Sequence, residues 1–456
     1  MCGIVGVIAP NLSSSDSRVD QLLQAVLQRG PDGKAVVKVA GCHLGHARLS
    51  VLDISASGRQ PMESPSGRYL VAFNGEIYNF KALRKDYQLR GCFFSTSTDT
   101  EVIVNGLELD GLASLKLLRG MFSIAVYDQS LGETFLYRDV FGVKPLFYTL
   151  QGSVFAFSSM SAPLAKLFGG NDLCEPVAID FLNRRISHFD GLSIRQGVLA
   201  VPPGYLLRVT MGNNTPKIEQ IRFQKISVEA ELRKLNPVSL GRHDLLSEIE
   251  RLVIQALESD RPLGILLSGG LDSSCLAAIL KKNHVQFSAF HFRSATSNFE
   301  TKNVERLANI LKLDVTYINE SKLTVDRLIR QIKHHDFPCA DLSMLSHFET
   351  LRNVAKTDVK VVATGSGGDE IFGGYPHHIS QLQKDYWRFT VPRLGKLRDW
   401  VGSNLFALPG VPCNPYLRRH FRDRYSRDYP ETKFSRFVDR LYVDLMKYTL
   451  PGFLAY

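Results

Sequence analysis

The stretch GILLSGGLDSSCLAAILKK, residues 264–282, decides how the second half of the chain folds. Residues 264–267 are a short, wholly apolar run, the pattern of a strand buried on both faces of a parallel sheet. The run 275–281 reads as a helix. Between them lies SGGLDSS, residues 268–274. A glycine-rich turn that leaves a strand and opens a helix gathers backbone N–H groups around one point, where serine hydroxyls add further donors, so it binds anions such as phosphate. Serines at a helix start also serve as plain caps. The order strand, loop, helix favours the phosphate reading, and the missing GK[ST] ending excludes a Walker A loop.

Working outward, Leu245, Leu246, Ile249, Leu252, Val253, Ala256 and Leu257 recur at helical spacing just upstream. Downstream, residues 287–292 and 313–318 read as strands, 304–311 as a helix and 359–363 as another buried strand. That alternation predicts a doubly wound α/β domain. A second glycine-rich cluster, TGSGGDEIFGGY, occupies residues 364–375. From Gln381 onward the chain reads as helical and aromatic.

The first two hundred residues read differently. Short apolar runs separated by turns (4–8, 35–39, 69–73, 122–127, 135–137 and 154–157) predict strands of a large sheet system, with helices at 19–27 and 101–109. The polar, turn-rich GNNTPK (212–217) marks a shift in composition. The boundary is therefore placed between 212 and 241, giving domains 1–212 and 241–456.

The 456 residues are enough for two or three domains. No apolar run approaches the roughly 18–20 residues that span a bilayer, and the opening lacks a basic leader. The expectation is a soluble, cytoplasmic protein without a membrane partner. Seven cysteines, an odd number without CxxC pairs, argue against a disulfide framework and a zinc site. The net charge of +10 raises the question of nucleic acid. Much of it lies late, in Arg418, Arg419, Arg422, Arg424 and Arg427, interleaved with Phe421, Tyr425 and Tyr429. With no nucleic-acid fold signature elsewhere, the reading is a solvated surface and no nucleic-acid partner.

Cys2 follows the initiator Met directly. With Met1 removed, its α-amine, of ordinary pKa about 7.7–8, can deprotonate the adjacent thiol, so one residue supplies nucleophile and base. A chance cysteine on an edge strand is the bland alternative. Against it stand MCGIVGV (1–7), RGPDG (29–33), GHARLSVLD (45–53), RQPM (59–62), FNGEIYN (73–79), TDTEV (98–102) and YRDVFGVKPLFY (137–148), in that order. Together they resemble the glutaminase domain of the asparagine synthetase family, N-terminal-nucleophile amidotransferases. SGGLDSS in turn resembles the pyrophosphate loop of ATP pyrophosphatases, which cleave ATP between the α and β phosphates.

The resemblance implies an α+β sandwich (αββα) followed by an α/β ATP pyrophosphatase domain. It implies glutamine, ATP and Mg²⁺, with aspartate as the leading acceptor, ammonia passing between two sites through an internal channel, and a homodimer left open. Cys2 attacks glutamine, and Asn74 with the Gly75 N–H forms the oxyanion hole. Arg48 and Leu49 lie at the glutamine site, Arg48 on the α-carboxylate; Glu76 and Asp99 hold the α-ammonium. The nucleotide falls to Leu267, Ser268, Gly269, Gly270, Asp272, Ser273, Ser274, Phe290, Thr364 and Gly365, with Glu300 nearby and Asp272 and Asp369 as metal carboxylates.

The resemblance also has departures. Ser366 stands where asparagine synthetases usually carry Glu or Asp, as in relatives that make other amides. Gln28 and Met160 replace a usual His and Glu, and Phe337 replaces the glutamate of a DEP-type loop within residues 336–343. Family motifs expected after residue 456 are missing, so the second domain reads as C-terminally truncated. The open alternatives are an amidotransferase for a sugar acid or secondary metabolite, a glutaminase with an impaired synthetase half, and, more distantly, an RNA-modifying ATP pyrophosphatase.

Overall fold

The computed structural model describes residues 1–169, 172–184, 188–189, 191–212, 215–224, 242–294, 298–320, 324–334, 336, 343–375 and 378. The late arginine cluster, the segment from Gln381, Phe337 and the chain end lie outside them. The described residues up to Gly365 belong to one compact unit, and those from Ser366 to a second.

The first half of the larger unit is a sandwich. Among the described residues one sheet has eight strands, with Gly3–Ile8 antiparallel between Cys42–Arg48 and Val154–Ser158. The other has six, with Tyr69–Ile77 and Gly120–Asp128 paired along their length. Alternation along Gly3–Ile8 shows why two layers form. Ile4 and Ile8 face the inner core with Leu44, Leu70, Ala72, Leu136 and Leu207, whereas Val5 and Val7 face outward onto Val19, Leu22, Leu23 and Val26 of the helix Arg18–Val26. A Cβ on inward-facing Gly6 would sit 2.2 Å from the Phe157 ring. The outer face of the six-stranded sheet is covered by the helices Phe80–Leu89 and Asp99–Asp110, through Phe80, Tyr87, Val102, Ile103 and Leu107. The order is helix, sheet, sheet, helix, as expected.

Strand pairing runs past Gly212. Tyr205–Met211 pairs antiparallel with Pro216–Arg222, so the turn-rich stretch joins two strands of one hairpin inside the sheet. Among the described residues, the second half holds a four-stranded parallel sheet in the order Val315–Asn319, Ser288–Arg293, Leu263–Leu266, Val361–Ala363. Leu263, Ile265, Ala277, Leu280 and Val304 pack on one face, and Phe290, Ile318, Val354 and Val359 on the other. The helix after the phosphate loop starts earlier than its apolar run suggests, at Leu271 rather than at 275. Gly270 caps it in extended geometry, which places Ser273 and Ser274 in its first turns. No helix of the described residues is long and apolar enough to cross a membrane.

Candidate active site

At one end of the sandwich the chain start meets three motifs. The Cys2 thiol donates to the Leu49 carbonyl (3.6 Å) and accepts from the Leu49 N–H (3.4 Å). Arg29 Nε donates to the Cys2 carbonyl at 3.0 Å. Gly30, next in sequence, packs against the end of Cys42–Arg48, where a Cβ would lie 2.3 Å from the Ala47 carbonyl. The terminal amine, here that of Met1, is buried among Cys2, Arg29, Lys144 and Glu76; burial pushes its pKa down to about 5. A buried amine is thereby kept neutral, and so able to accept a proton, at neutral pH.

Asn74, Gly75 and Glu76 lie near the end of Tyr69–Ile77, opposite Ser123, Phe122 and Met121. Asn74 is fully buried; its Nδ2 donates to Ser123 Oγ at a long 3.5 Å, and its Oδ1 has no partner among the described residues. The amide therefore has unused hydrogen-bonding capacity. Gly75 is fixed by crowding, since a Cβ would lie 2.1 Å from the Met121 carbonyl and 2.6 Å from Phe122 Cα. The clash is with the backbone of the paired strand Gly120–Asp128, which cannot give way cheaply. Gly75→Ala is expected to cost about 2 kcal/mol or more, read as a lower midpoint in thermal or denaturant unfolding; an unchanged midpoint would contradict the pairing.

Asp99 opens the helix Asp99–Asp110, capped by Thr98, which accepts the Thr100 N–H. Its Oδ2 accepts the Ile77 N–H at 3.0 Å. Burial, with help from the neighbouring Glu76 charge, raises its pKa to about 7. Glu76 is also raised, by burial, which the Lys144 charge opposes. Asp99, buried, and Glu76, half-buried, put two carboxyl groups near each other, surroundings suited to a cation.

Arg48 ends the strand Cys42–Arg48. Its guanidinium donates to the carbonyls of Ser55 (2.6 Å) and Asp53. Gly58 makes way for it: a Cβ there would stand 2.2 Å from Arg48 Nη2. Arg48, His46, Ser50, Ser55, Arg59 and Gln60 are among the residues lining a cavity of about 370 Å³. The His46 Nε2–H donates to the Phe73 carbonyl, and burial lowers its pKa to about 3, so it stays neutral. Gln60 accepts the Phe73 N–H (2.7 Å) and donates to Thr100 Oγ1 (3.0 Å), tying RQPM to the two other motifs.

The sequence reading passed over Lys144, although it sits inside YRDVFGVKPLFY. Asp139 accepts the N–H groups of Phe122, Phe141, Val143 and Lys144, and Arg138 donates to the carbonyls of Lys144, Val201 and Gly142. That knot holds a buried lysine facing Glu76, Arg29, Asp139 and Cys2; burial lowers its pKa. A lone lysine between Val143 and Pro145 in an apolar run was the available signal. Two departures from the family pattern also meet: Gln28 Nε2 lies 3.8 Å from Met160 Sδ.

In the parallel sheet, strand order reverses between Leu263–Leu266 and Val361–Ala363, the place where open α/β sheets bind ligands. The loops leaving these two strands meet there. A Cβ on Gly365 would lie 2.9 Å from Asp272 Cβ and 3.0 Å from the Ser273 N, so Gly365 is packed against the loop. Thr364 precedes it, directly after the strand. Within the loop, the Ser268 N–H donates to Ser273 Oγ and Ser274 Oγ donates to the Gly270 carbonyl. Gly269 adopts φ +76°, 2.6 Å from the Glu300 carbonyl by its absent Cβ. Leu267 and Phe290 are joined by a backbone hydrogen bond of 2.8 Å, with both side chains in the core. His291, also unpredicted, pins the loop's start: Nδ1 bonds the Leu267 carbonyl (2.7 Å) and Nε2 bonds Thr301 Oγ1 (3.0 Å).

In the second unit, Asp369 lies in the short helix Gly368–Phe372 and its carbonyl accepts the N–H groups of Gly373 and Gly374. Glu370 is buried and accepts from the Tyr375 hydroxyl at 2.7 Å. Ser366 belongs to the same unit. All five described cysteines are free thiols.

Fold and motifs pair a layered sandwich module with a parallel α/β module that carries a glycine-rich loop at its switch point. The glutamine amidotransferase domain model matches residues 1–220 and the asparagine synthase model residues 244–440. The asparagine synthetase [glutamine-hydrolyzing] of Sandersonia aurantiaca is 30% identical over 97% of this chain and 89% of its own length. Asparagine synthetase 1 of Bacillus subtilis is 27% identical over 82% of this chain, which spans 59% of that protein. Asparagine synthetase 3 of Arabidopsis thaliana is 28% identical over 97% of this chain and 80% of its own. The chain belongs to the glutamine-hydrolysing asparagine synthetase family.

Proposed function

We propose that the chain releases ammonia from glutamine at Cys2 and uses it to amidate a carboxylate activated by ATP, with aspartate as the acceptor the family relationship favours. The observation that carries this reading is the Cys2 thiol at the chain start, bonded to the Leu49 backbone next to Arg48 and its cavity. After loss of Met1 the terminal amine would be that of Cys2 itself. It takes the thiol proton; sulfur attacks the side-chain amide carbon of glutamine; the C–N bond breaks and ammonia leaves with the proton. Water then cleaves the thioester to glutamate. The Asn74 amide and the Gly75 N–H donate to the developing oxyanion, where one lost donor costs about 10²–10³-fold in rate. Arg48 takes the α-carboxylate and Asp99 with Glu76 the α-ammonium.

At the second site the acceptor carboxylate attacks the α-phosphorus of ATP and pyrophosphate leaves; ammonia then displaces AMP. The N–H groups and hydroxyls of residues 268–274 hold the departing pyrophosphate. Asp272 would hold Mg²⁺ in this unit, and Asp369 is the corresponding proposal in the other. No cluster of three or more His, Cys, Asp or Glu that could hold a metal occurs among the described residues. Mg²⁺ takes one or two carboxylates and completes its shell with phosphate and water, so a single carboxylate in the loop is enough to anchor it. Bound there, the ion offsets charge on the leaving group.

Ser366 supports a second reading, in which the acceptor is a different carboxylate such as a sugar acid. Product analysis with competing carboxylates separates the two: asparagine alone supports aspartate, and amidation of another acid in preference excludes it.

Asp99 gives this reading a pH signature. Its carboxyl titrates near 7, and only the ionised form pairs with an ammonium group. Glutamine binding therefore pulls the proton off below pH 7, and affinity falls as pH falls. KM for glutamine is expected to rise toward tenfold per pH unit below 7, a slope that Asp99→Asn abolishes. A flat KM between pH 5.5 and 7.5 in the unaltered enzyme would remove Asp99 from the site. The same raised pKa acts oppositely on stability: the folded state binds this proton more tightly than the unfolded one, so this contribution grows as pH drops from about 7 toward 4.

A further inference from the structure

The loop that holds Arg48 is fastened from the nucleotide-binding half of the chain. Asp53 N–H donates to Asp260 Oδ2 at 2.8 Å, and Asp260 N–H donates to the Val51 carbonyl at 3.0 Å. Arg261 Nε donates to the Ser50 carbonyl at 2.9 Å. Arg261 Nη2 also lies 3.5 Å from Asp32 Oδ2, the oxygen that accepts the Ser50 N–H. Two adjacent residues thus grip residues 50–53 at three points and reach Asp32 at a fourth, immediately before the strand Leu263–Leu266 that leads to the phosphate loop.

The grip falls where the loop does most for Arg48. Asp53 adopts φ +51°, a left-handed conformation uncommon for a residue with a side chain. Its carboxylate accepts from the Ser55 N–H and hydroxyl and from the Ser97 N–H. The Asp53 and Ser55 carbonyls are the two partners of the Arg48 guanidinium. Loosening residues 50–53 would free both carbonyls and leave Arg48 in its binding geometry for only part of the time, and apparent affinity drops by that fraction.

We infer that Asp260 and Arg261 are positioning residues of the glutamine site, supplied by the nucleotide-binding half. This rests on the glutamine reading of the Arg48 pocket. The test uses the full-length chain with Asp260→Ala, Asp260→Asn, Arg261→Ala and Arg261→Lys. The alanine variants are expected to raise KM for glutamine about three- to tenfold, the scale of one or two lost hydrogen bonds, with kcat for glutamate formation changed less than about twofold. Asn retains an acceptor oxygen, so Asp260→Asn recovers most of the loss. Lys keeps the charge but lacks the planar fork, so Arg261→Lys recovers little.

Amide hydrogen exchange reads the positioning without turnover: residues 50–57 exchange faster in the alanine variants, while Tyr69–Ile77 keeps its protection. Unchanged exchange at 50–57 overturns the inference. So does faster exchange shared by Tyr69–Ile77, which would mark the contacts as general stability, and so does a fall in kcat at constant KM. If the unaltered chain turns over no glutamine, the proposed function fails while the exchange result still decides whether Asp260 and Arg261 hold the loop.

Discussion

Cys2→Ala removes glutamine hydrolysis and leaves ammonia-dependent product formation intact. The thiol is the only group at this end of the sandwich proposed to form a bond to carbon, and losing the nucleophile of a covalent mechanism costs on the order of 10⁴-fold or more. The fold should not notice. The Cys2 side chain makes two weak sulfur contacts, both to the Leu49 backbone, and replacing them is worth well under about 1 kcal/mol. Neither Gly3–Ile8 nor its partner strands depend on them. The outcome is measured as glutamate release from glutamine beside pyrophosphate release with ammonium chloride as nitrogen source. Loss of the first with retention of the second is the expected result. Equal loss of both would mean that Cys2 serves the fold or a shared site.

Asp272→Ala is expected to do the reverse: pyrophosphate release falls by about 10³-fold, the scale of removing several kcal/mol of metal-assisted charge stabilisation, while glutamate release persists. Asp272 stands in the first turn of Leu271–Lys282, packed against Gly365 from the loop after a strand almost a hundred residues away in sequence. Asp272→Asn keeps size and helix start but removes the charge, so it separates electrostatics from packing. If Asn matches the unaltered chain while Ala fails, the residue shapes the loop. If both fail equally, its charge is what the loop supplies.

Sequence and structure agree where local pattern carries the information. The apolar run before SGGLDSS became the central strand of the parallel sheet because a strand covered on both faces has no polar side to show. The runs at 4–8, 69–73 and 122–127 became strands of the sandwich for a related reason: helices cover its outer faces. Cys42–Arg48 was legible as a motif and not as a strand. His43, Gly45 and His46 are poor strand formers, yet Gly45 is needed there, since a Cβ would lie 2.7 Å from Val5 Cγ2 under the helix Arg18–Val26. His291, Asp260 and Arg261 were not legible as site residues, because their partners are distant in sequence and no periodicity reports them; Lys144 left one signal, its place in an apolar run. The helix start at Leu271 was missed because Asp272, Ser273 and Ser274 carry no apolar stripe; their helical state comes from the Gly270 cap and serine bonds back to its carbonyl.

The central claim is that one chain joins the two chemistries. The direct measurement supplies amide-¹⁵N glutamine, ATP, Mg²⁺ and aspartate, and follows ¹⁵N by NMR while pyrophosphate is assayed. The account predicts label in the side-chain amide of asparagine, with one pyrophosphate for each asparagine formed. Label appearing only as free ammonium, with ATP untouched across aspartate and other carboxylates, would contradict it.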